Sequence, residues 1–160
     1  MSARISDRTG YGNDVNVNGV PLPAAGDYYT QPNVNFTEQN MPAKKILVVD
    51  DSLTDLKNLE QIVTEGGYSV VTASSGKEAV TKARDEQPDA ILLDVIMKDM
   101  NGFQACRAIT SGEDTRDIPV ILVSSKGEKT DRIWGEEQGA KGYIVKPFTK
   151  QQILDTLRSL

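Results

Sequence analysis

Five short apolar runs, separated by helix-like patterns, limit the folds that are open to this chain. Their nearly unbroken apolar character is typical of parallel strands that are buried on both faces. They lie at residues 46–49, 68–73, 89–94, 119–123 and 142–145. Strands that alternate with helices in this way predict an α/β fold, a doubly wound five-stranded parallel sheet with helices on both faces.

The helices are predicted from apolar stripes and from their start and stop signals. Ser52 is expected to open the first helix, with Asp55 in the capping-box position and Leu53 in the apolar stripe. Ile153, Leu154, Leu157 and Leu160 form the stripe of the fifth and last helix. The fourth helix, residues 129–138, is the weakest because Gly135 costs about 1 kcal/mol relative to alanine in a helix interior. Such marginal stability suits an element that shifts.

Residues 1–42 differ in composition from the remainder. Asparagine, glycine and proline recur there and apolar residues are scattered, so the segment is predicted to be a disordered or weakly structured tail. The alternating stretch 15–20 leaves open a fragile hairpin or a strand added to a partner. The folded domain is accordingly expected to span residues 43–160.

Composition excludes several classes of function. The net charge is −5 without a block of basic residues, which argues against a nucleic-acid partner. No run approaches the ~18 apolar residues of a membrane span, and the N-terminus lacks the apolar core of a signal peptide. We therefore expect no membrane insertion and a cytoplasmic location, with the single cysteine, Cys106, buried in a helix. The chain has no histidine, so chemistry is left to carboxylates, hydroxyls and lysines.

Polar side chains stand where the predicted strands end. Asp50 and Asp51 follow the first strand, Asp94 ends the third, Ser124 follows the fourth and Lys146 follows the fifth. Any one of them could be a helix cap, a turn residue or a solvated charge. Because parallel strands present their C-terminal ends at one edge, we expect the five to converge there. Three neighbouring carboxylates repel one another and should recruit a hard cation, for which Mg2+ is the natural choice.

These motifs, in this order and at this spacing, give the chain a family resemblance. Residues 41–160 resemble a bacterial response-regulator receiver domain of the CheY type, which has a flavodoxin-like fold. The motifs that carry the resemblance are Asp50-Asp51, Leu93-Asp94, Asn101-Gly102, Ser124-Ser125 and Lys146-Pro147-Phe148. Within the family, residues 130–140 and 41–45 resemble the PilH group of twitching-motility regulators. Lys98 departs from the family pattern, which usually has proline at that position.

The resemblance implies a stand-alone receiver of a two-component phosphorelay. A histidine kinase of the CheA type would donate a phosphoryl group to Asp94. Asp51, Asp94 and the backbone carbonyl of Ile96 would hold Mg2+, with Asp50 acting through water. Such a protein catalyses its own phosphorylation and slow dephosphorylation and is not a turnover enzyme.

The resemblance also implies how phosphorylation is transmitted. Lys146 and Ser124 would each bind a phosphoryl oxygen, and Tyr143 would enter the space that Ser124 leaves. A downstream protein would then bind the surface formed by helix 4, strand 5 and helix 5, in control of type IV pilus twitching motility or of a chemotaxis-like response. The family often has a cis peptide bond at Lys146-Pro147.

Ile96 and Lys126 are expected to set the lifetime of the phosphate, because each lies two residues after a site residue and neither can orient an attacking water.

The sequence leaves two other functions open. An aspartate-based phosphohydrolase would need a second acid two residues after its nucleophile, where Ile96 or Ser52 stands. A non-phosphorylated receiver-like binding module acting through its N-terminal tail would not need the complete set of site residues.

Overall fold

The structure is a computed structural model that describes residues 43–160. The predicted tail, residues 1–42, and the hairpin considered within it lie outside the described residues. Five strands alternate with five helices. The strands are β1 Lys45–Val49, β2 Ser69–Ala73, β3 Ala90–Asp94, β4 Val120–Ser124 and β5 Gly142–Val145. The helices are α1 Leu53–Glu65, α2 Gly76–Glu86, α3 Gly102–Ser111, α4 Lys129–Glu137 and α5 Lys150–Arg158.

The strands form one parallel sheet in the order β2-β1-β3-β4-β5. This confirms the predicted doubly wound fold of flavodoxin-like type. The strand order reverses between β1 and β3, which are hydrogen-bonded neighbours. In open parallel sheets the crevice outside the strand ends at such a point is where ligands bind.

The core has two layers, one on each face of the sheet. Apolar residues of α1 and α5 pack on one face, and those of α2 and α3 pack on the other. Cys106 on α3 is fully buried, as predicted, and burial raises the pKa of its thiol to about 12. Cys106 therefore acts as a small apolar core residue.

Two apolar residues assigned to buried stripes are exposed instead. Leu53 is the first residue of α1 and is 67% exposed, and Leu160 lies beyond the end of α5 and is 45% exposed. Both were predicted from helical spacing alone. Residues at the extreme ends of a helix have no neighbouring turn to press them onto the sheet, so correct spacing did not bury them.

Gly135 has a different role from the one its helix propensity suggested. It is the buried residue of α4, and a Cβ at its position would lie 2.7 Å from Leu122 Cδ1 and 3.2 Å from the ring of Tyr143. The helix approaches β4 and β5 closely because this position carries no side chain. The apolar residues of α4, Ile133 and Trp134, remain 44% and 52% exposed.

None of the helices within residues 43–160 is both long and apolar enough to cross a membrane. The cytoplasmic location stays a prediction.

Candidate functional site

Three carboxylates meet at the edge of the sheet where β1 and β3 end. Asp50 and Asp51 follow β1 and Asp94 is the last residue of β3, so the pairing of these strands brings them side by side. One carboxylate oxygen from each lies within 4.8 Å of the others. Asp50 and Asp94 are buried and Asp51 is exposed. The predicted acidic cluster is therefore present, with Asp51 facing solvent.

Asp94 carries a charge that its surroundings only partly neutralise. Burial, and after it the negative charge of the neighbouring Asp50, raise the pKa of its carboxyl group, which is about 6. The ammonium group of Lys146 and the backbone N–H groups of Val95 and Ile96 act in the opposite direction. At neutral pH Asp94 is thus an ionised, buried carboxylate that would gain from an additional positive charge.

Lys146 follows β5 and is the cation of the site. Its Nζ lies 2.9 Å from Asp55 Oδ2, 3.0 Å from Asp50 Oδ2 and 3.7 Å from Asp94 Oδ1. Burial acts to lower the pKa of Lys146, but the hydrogen bonds to Asp55 and Asp50 outweigh it, so the pKa is raised. The bond between Lys146 and Pro147 is cis. Lys146 is therefore a fixed positive charge that touches three acids.

Asp55 was missed as a member of the site. Sequence reasoning explained it as the capping-box partner of Ser52, and the Asp55 N–H does donate to Ser52 Oγ at 3.4 Å. Its carboxylate, however, binds Lys146. The available signal was position, since Asp55 lies four residues after Asp51, in the first turn of the helix that leaves the acidic pair.

Ser124 closes the opposite side of the site. It is the last residue of β4 and is fully buried. Its Oγ accepts a hydrogen bond from the Lys126 N–H at 3.1 Å, and its carbonyl oxygen accepts one from the Lys146 N–H at 2.9 Å. The backbone thus links the hydroxyl to the lysine and to the loop after β4.

Tyr143 lies on the inner side of this loop. Its hydroxyl donates to the carbonyl oxygen of Lys126 at 2.5 Å, and its ring faces Gly135 on α4. Burial raises the pKa of Tyr143, while a hydrogen bond with the Ser124 side chain lowers it. Tyr143 is thus joined to Ser124 through Lys126, whose N–H donates to the Ser124 hydroxyl, and the role of the two residues as a switch pair stays a prediction.

The two residues expected to set the phosphate lifetime lie at the rim. The Ile96 side chain is 54% exposed in the loop after Asp94. The Lys126 side chain is also exposed, and its Nζ lies 3.8 Å from Asp131 Oδ1 on α4. Neither side chain contacts Asp94 by hydrogen bonding or ion pairing, and their role in the lifetime of a phosphate stays a prediction.

The loop after Asp94 is fixed to the start of α3. The Gly102 N–H donates to the carbonyl oxygen of Val95 at 2.8 Å, and a Cβ at Gly102 would lie 2.2 Å from the Asp94 carbonyl oxygen. Next to Gly102, Phe103 packs edge-on against Trp134, with ring centroids 6.5 Å apart. The backbone at Asp94 and Val95 is therefore linked through α3 to Trp134, the exposed tryptophan of α4.

The residues of the cluster fit a small, hard cation. Three carboxylates supply oxygen ligands only, and the exposed position of Asp51 leaves room for the waters that Mg2+ retains. Burial, and after it the charge of Asp50, raise the pKa of Asp94, and a bound cation would stabilise its ionised form. The predicted backbone ligand, the carbonyl of Ile96, stays a prediction.

Comparison with known proteins gives matches over the same part of the chain. Residues 46–158 match the response regulator receiver domain family. Protein PilH of Pseudomonas aeruginosa is 40% identical over 116 residues, which cover 72% of this chain and 96% of that protein. Several other matched regulators are longer, and this chain spans between 26% and 48% of them.

Solved structures of receiver domains share the fold. The receiver domain of a Pseudomonas aeruginosa sensor histidine kinase, solved with a magnesium ion coordinated in its active-site cleft, has a TM-score of 0.69 and 28% identity over 73% of this chain and 96% of that one. The CheX–CheY–BeF3–Mg2+ complex of Borrelia burgdorferi gives a TM-score of 0.72 and 29% identity, covering 79% of this chain and 95% of that one.

Proposed function

Because the chain belongs to the response regulator receiver domain family, we propose that it is a receiver of a two-component phosphorelay and that Asp94 is its phosphoacceptor. The arrangement around Asp94 carries this proposal. A buried carboxylate with a raised pKa lies beside two further carboxylates and 3.7 Å from a lysine ammonium. Groups placed in this way suit the transfer of a highly charged phosphoryl group.

The proposed reaction is an in-line displacement. A carboxylate oxygen of Asp94 bonds to the phosphorus of a phosphohistidine, the phosphorus–nitrogen bond breaks, and the kinase imidazole leaves. The N–H groups of Val95 and Ile96 hold the attacking carboxylate in place. Lys146 and Ser124 are the proposed donors to two of the phosphoryl oxygens.

Asp50, Asp51 and Asp94 are the residues that would hold Mg2+, with the Ile96 carbonyl as a backbone ligand. The ion, when bound, supplies charge neutralisation for the transferred group. The protein contributes the positions of the three carboxylates, which the pairing of β1 with β3 fixes before any ligand arrives. Because one of them, Asp51, is exposed, a cation can enter from solvent.

The protein is proposed to catalyse only its own modification and its slow reversal, without turnover of a free substrate. Ile96 and Lys126 flank the acceptor with an alkyl chain and an ammonium group, neither of which accepts a proton from water at neutral pH. A water molecule that enters there has no side chain to orient it. Slow loss of the phosphoryl group follows from this chemistry.

Output is proposed to pass through protein contact at the surface of α4, β5 and α5. The hydrogen bond from Tyr143 to the Lys126 carbonyl oxygen and the packing of its ring beside Gly135 support this route, since they join the loop after Ser124 to α4. A role in twitching motility or chemotaxis-like control is proposed in line with the similarity to PilH. A CheA-like histidine kinase as donor and a cytoplasmic location are part of the same proposal.

Labelling with acetyl phosphate tests the proposal. The wild-type chain with Mg2+ should gain one phosphoryl group, detected by intact mass spectrometry, and Asp94→Asn should gain none. Asp117→Asn, which removes an exposed carboxylate before β4, is the matched control and should be labelled normally. Labelling that does not require Asp94, or no labelling of the wild type, would contradict the phosphoacceptor proposal and favour a binding module.

A further inference from the structure

The shortest contacts of Lys146 are with Asp55 and Asp50, not with Asp94, the proposed phosphoacceptor. Its Nζ is within hydrogen-bond distance of Asp55 and Asp50, at 2.9 and 3.0 Å, but 3.7 Å from Asp94. An ammonium group has three N–H donors, and two of them are engaged away from the acceptor. The third donor is the one left for a phosphoryl oxygen on Asp94, and the shorter contacts with Asp55 and Asp50 hold the ammonium group toward those residues.

The two partners differ in how easily they can release the lysine. Asp50 has a side chain that is 1% exposed, and its other oxygen accepts the Ser52 N–H at 2.9 Å. Loss of its lysine would leave a buried charge without a counter-ion, which is costly. The Asp55 side chain is 46% exposed, so water can replace the lysine there at little cost.

Asp55 is nevertheless held in reach of Lys146 by the backbone. It occupies the first turn of α1, where its N–H donates to the Oγ of Ser52, the N-cap residue. A carboxylate in the first turn is also stabilised by the helix dipole. Asp55 is thus a solvent-accessible acceptor at a fixed place beside the cation of the site.

The geometry points to Asp55 as a positioning residue that competes with the phosphoryl group for Lys146. In the unphosphorylated protein the Asp55 carboxylate holds the ammonium group away from Asp94. A phosphoryl group on Asp94 competes with Asp55 for this ammonium group. Asp55 therefore weakens phosphoryl binding and sets how readily Asp94 is phosphorylated. This inference rests on the proposed function, because it names a residue that tunes the same site.

Beryllofluoride, a phosphoryl mimic, provides the direct test. In the presence of Mg2+, Asp55→Asn should bind it about twofold to fivefold more tightly than the wild type, the size expected for loss of a partly exposed ion pair. Asp55→Glu, which restores the charge, should return affinity toward the wild-type value. Glu60→Gln, further along the same helix, removes an equal charge away from Lys146 and should leave affinity unchanged.

Affinity for Mg2+ alone gives a second readout, and this affinity should not rise in Asp55→Asn. A lysine released from Asp55 lies closer to the carboxylate cluster, so Asp55→Asn should bind Mg2+ no more tightly than the wild type. A general change in folding would move both affinities in one direction. Tighter binding of both ligands would overturn the competition.

A double-mutant cycle separates competition for Lys146 from simple repulsion by the Asp55 charge. The rate of acetyl phosphate labelling should rise in Asp55→Asn, and the rise should vanish when Lys146 is replaced by alanine in both proteins. An increase that persists without Lys146, or an unchanged or slower rate in Asp55→Asn, would overturn the inference while leaving Asp94 as the acceptor. Absence of Asp94-dependent labelling in the wild type would instead refute the proposed function, and this inference with it.

Discussion

Replacement of Asp94 by asparagine should stabilise the folded protein at neutral pH when no divalent cation is present. Asparagine keeps the shape of the side chain and removes the charge. In the wild type that charge is buried, since Asp94 is 6% exposed, and the nearby negative charge of Asp50 repels it. Lys146 offsets only part of this cost, because its shorter hydrogen bonds go to other acids.

The size and sign of the effect follow from the shift in the pKa of Asp94. Folding raises this pKa from 3.8 to about 6, a difference of roughly 2 units that corresponds to about 3 kcal/mol. For a raised carboxyl pKa, stability is fully present below the unfolded value and is lost as the pH rises through the folded value. The variant should therefore match the wild type near about pH 4 and exceed it by up to about 3 kcal/mol above about pH 7.

Urea unfolding in EDTA at several pH values measures this difference. The matched control is Asp117→Asn, an exposed position at which the free energy of unfolding should change by less than about 0.5 kcal/mol. Added Mg2+ should stabilise the wild type by mass action and leave the variant unchanged, which narrows the gap. A variant that is less stable than the wild type at neutral pH in EDTA would refute the claim that Asp94 is an under-neutralised buried charge.

Three further substitutions test other parts of the site. Gly102→Ala places a Cβ 2.2 Å from the Asp94 carbonyl oxygen, a backbone atom that cannot move aside easily. Urea unfolding should therefore show that the free energy of unfolding falls by more than about 2 kcal/mol. A smaller decrease would mean that the loop after Asp94 can shift. Gly135→Ala should lower the free energy of unfolding by about 1 kcal/mol, because crowding against Leu122 and Tyr143 outweighs the gain in helix propensity. Tyr143 should become more exposed to solvent, as measured by its fluorescence, and unchanged exposure would argue against close packing. Ile96→Asn supplies an amide that can orient water, so the phosphate on Asp94 should decay severalfold faster by mass spectrometry, and an unchanged rate would remove Ile96 from control of the lifetime.

The sequence predicts the sheet and most of the site because both follow from local patterns with few solutions. An apolar run such as Ala90–Leu93 of β3 has to be buried on both faces, and right-handed crossovers then bring the ends of the parallel strands to one edge. Asp94, Asp50 and Lys146 each stand at such an end. Their convergence needed no knowledge of distances.

Asp55 and Gly135 could not be placed in the same way. A capping pattern accounts for Asp55, and its position in the first turn after the acidic pair places it near the site without identifying Lys146, 91 positions away, as its partner. The value of Gly135 depends on the distance between α4 and the sheet, which is set by packing against Leu122 and Tyr143. Helix propensity describes only the cost of glycine within its own helix.

The charges of the site connect its stability to its chemistry. The ammonium group of Lys146 contacts the carboxylates of Asp50, Asp55 and Asp94, and Asp51 adds a fourth carboxylate to the same site. A phosphoryl group would add up to two negative charges to this excess. Lys146 alone cannot balance them, because its single positive charge is already shared among three carboxylates. The repulsion among these carboxylates is therefore also the reason why the proposed phosphorylation of Asp94 should require a divalent cation.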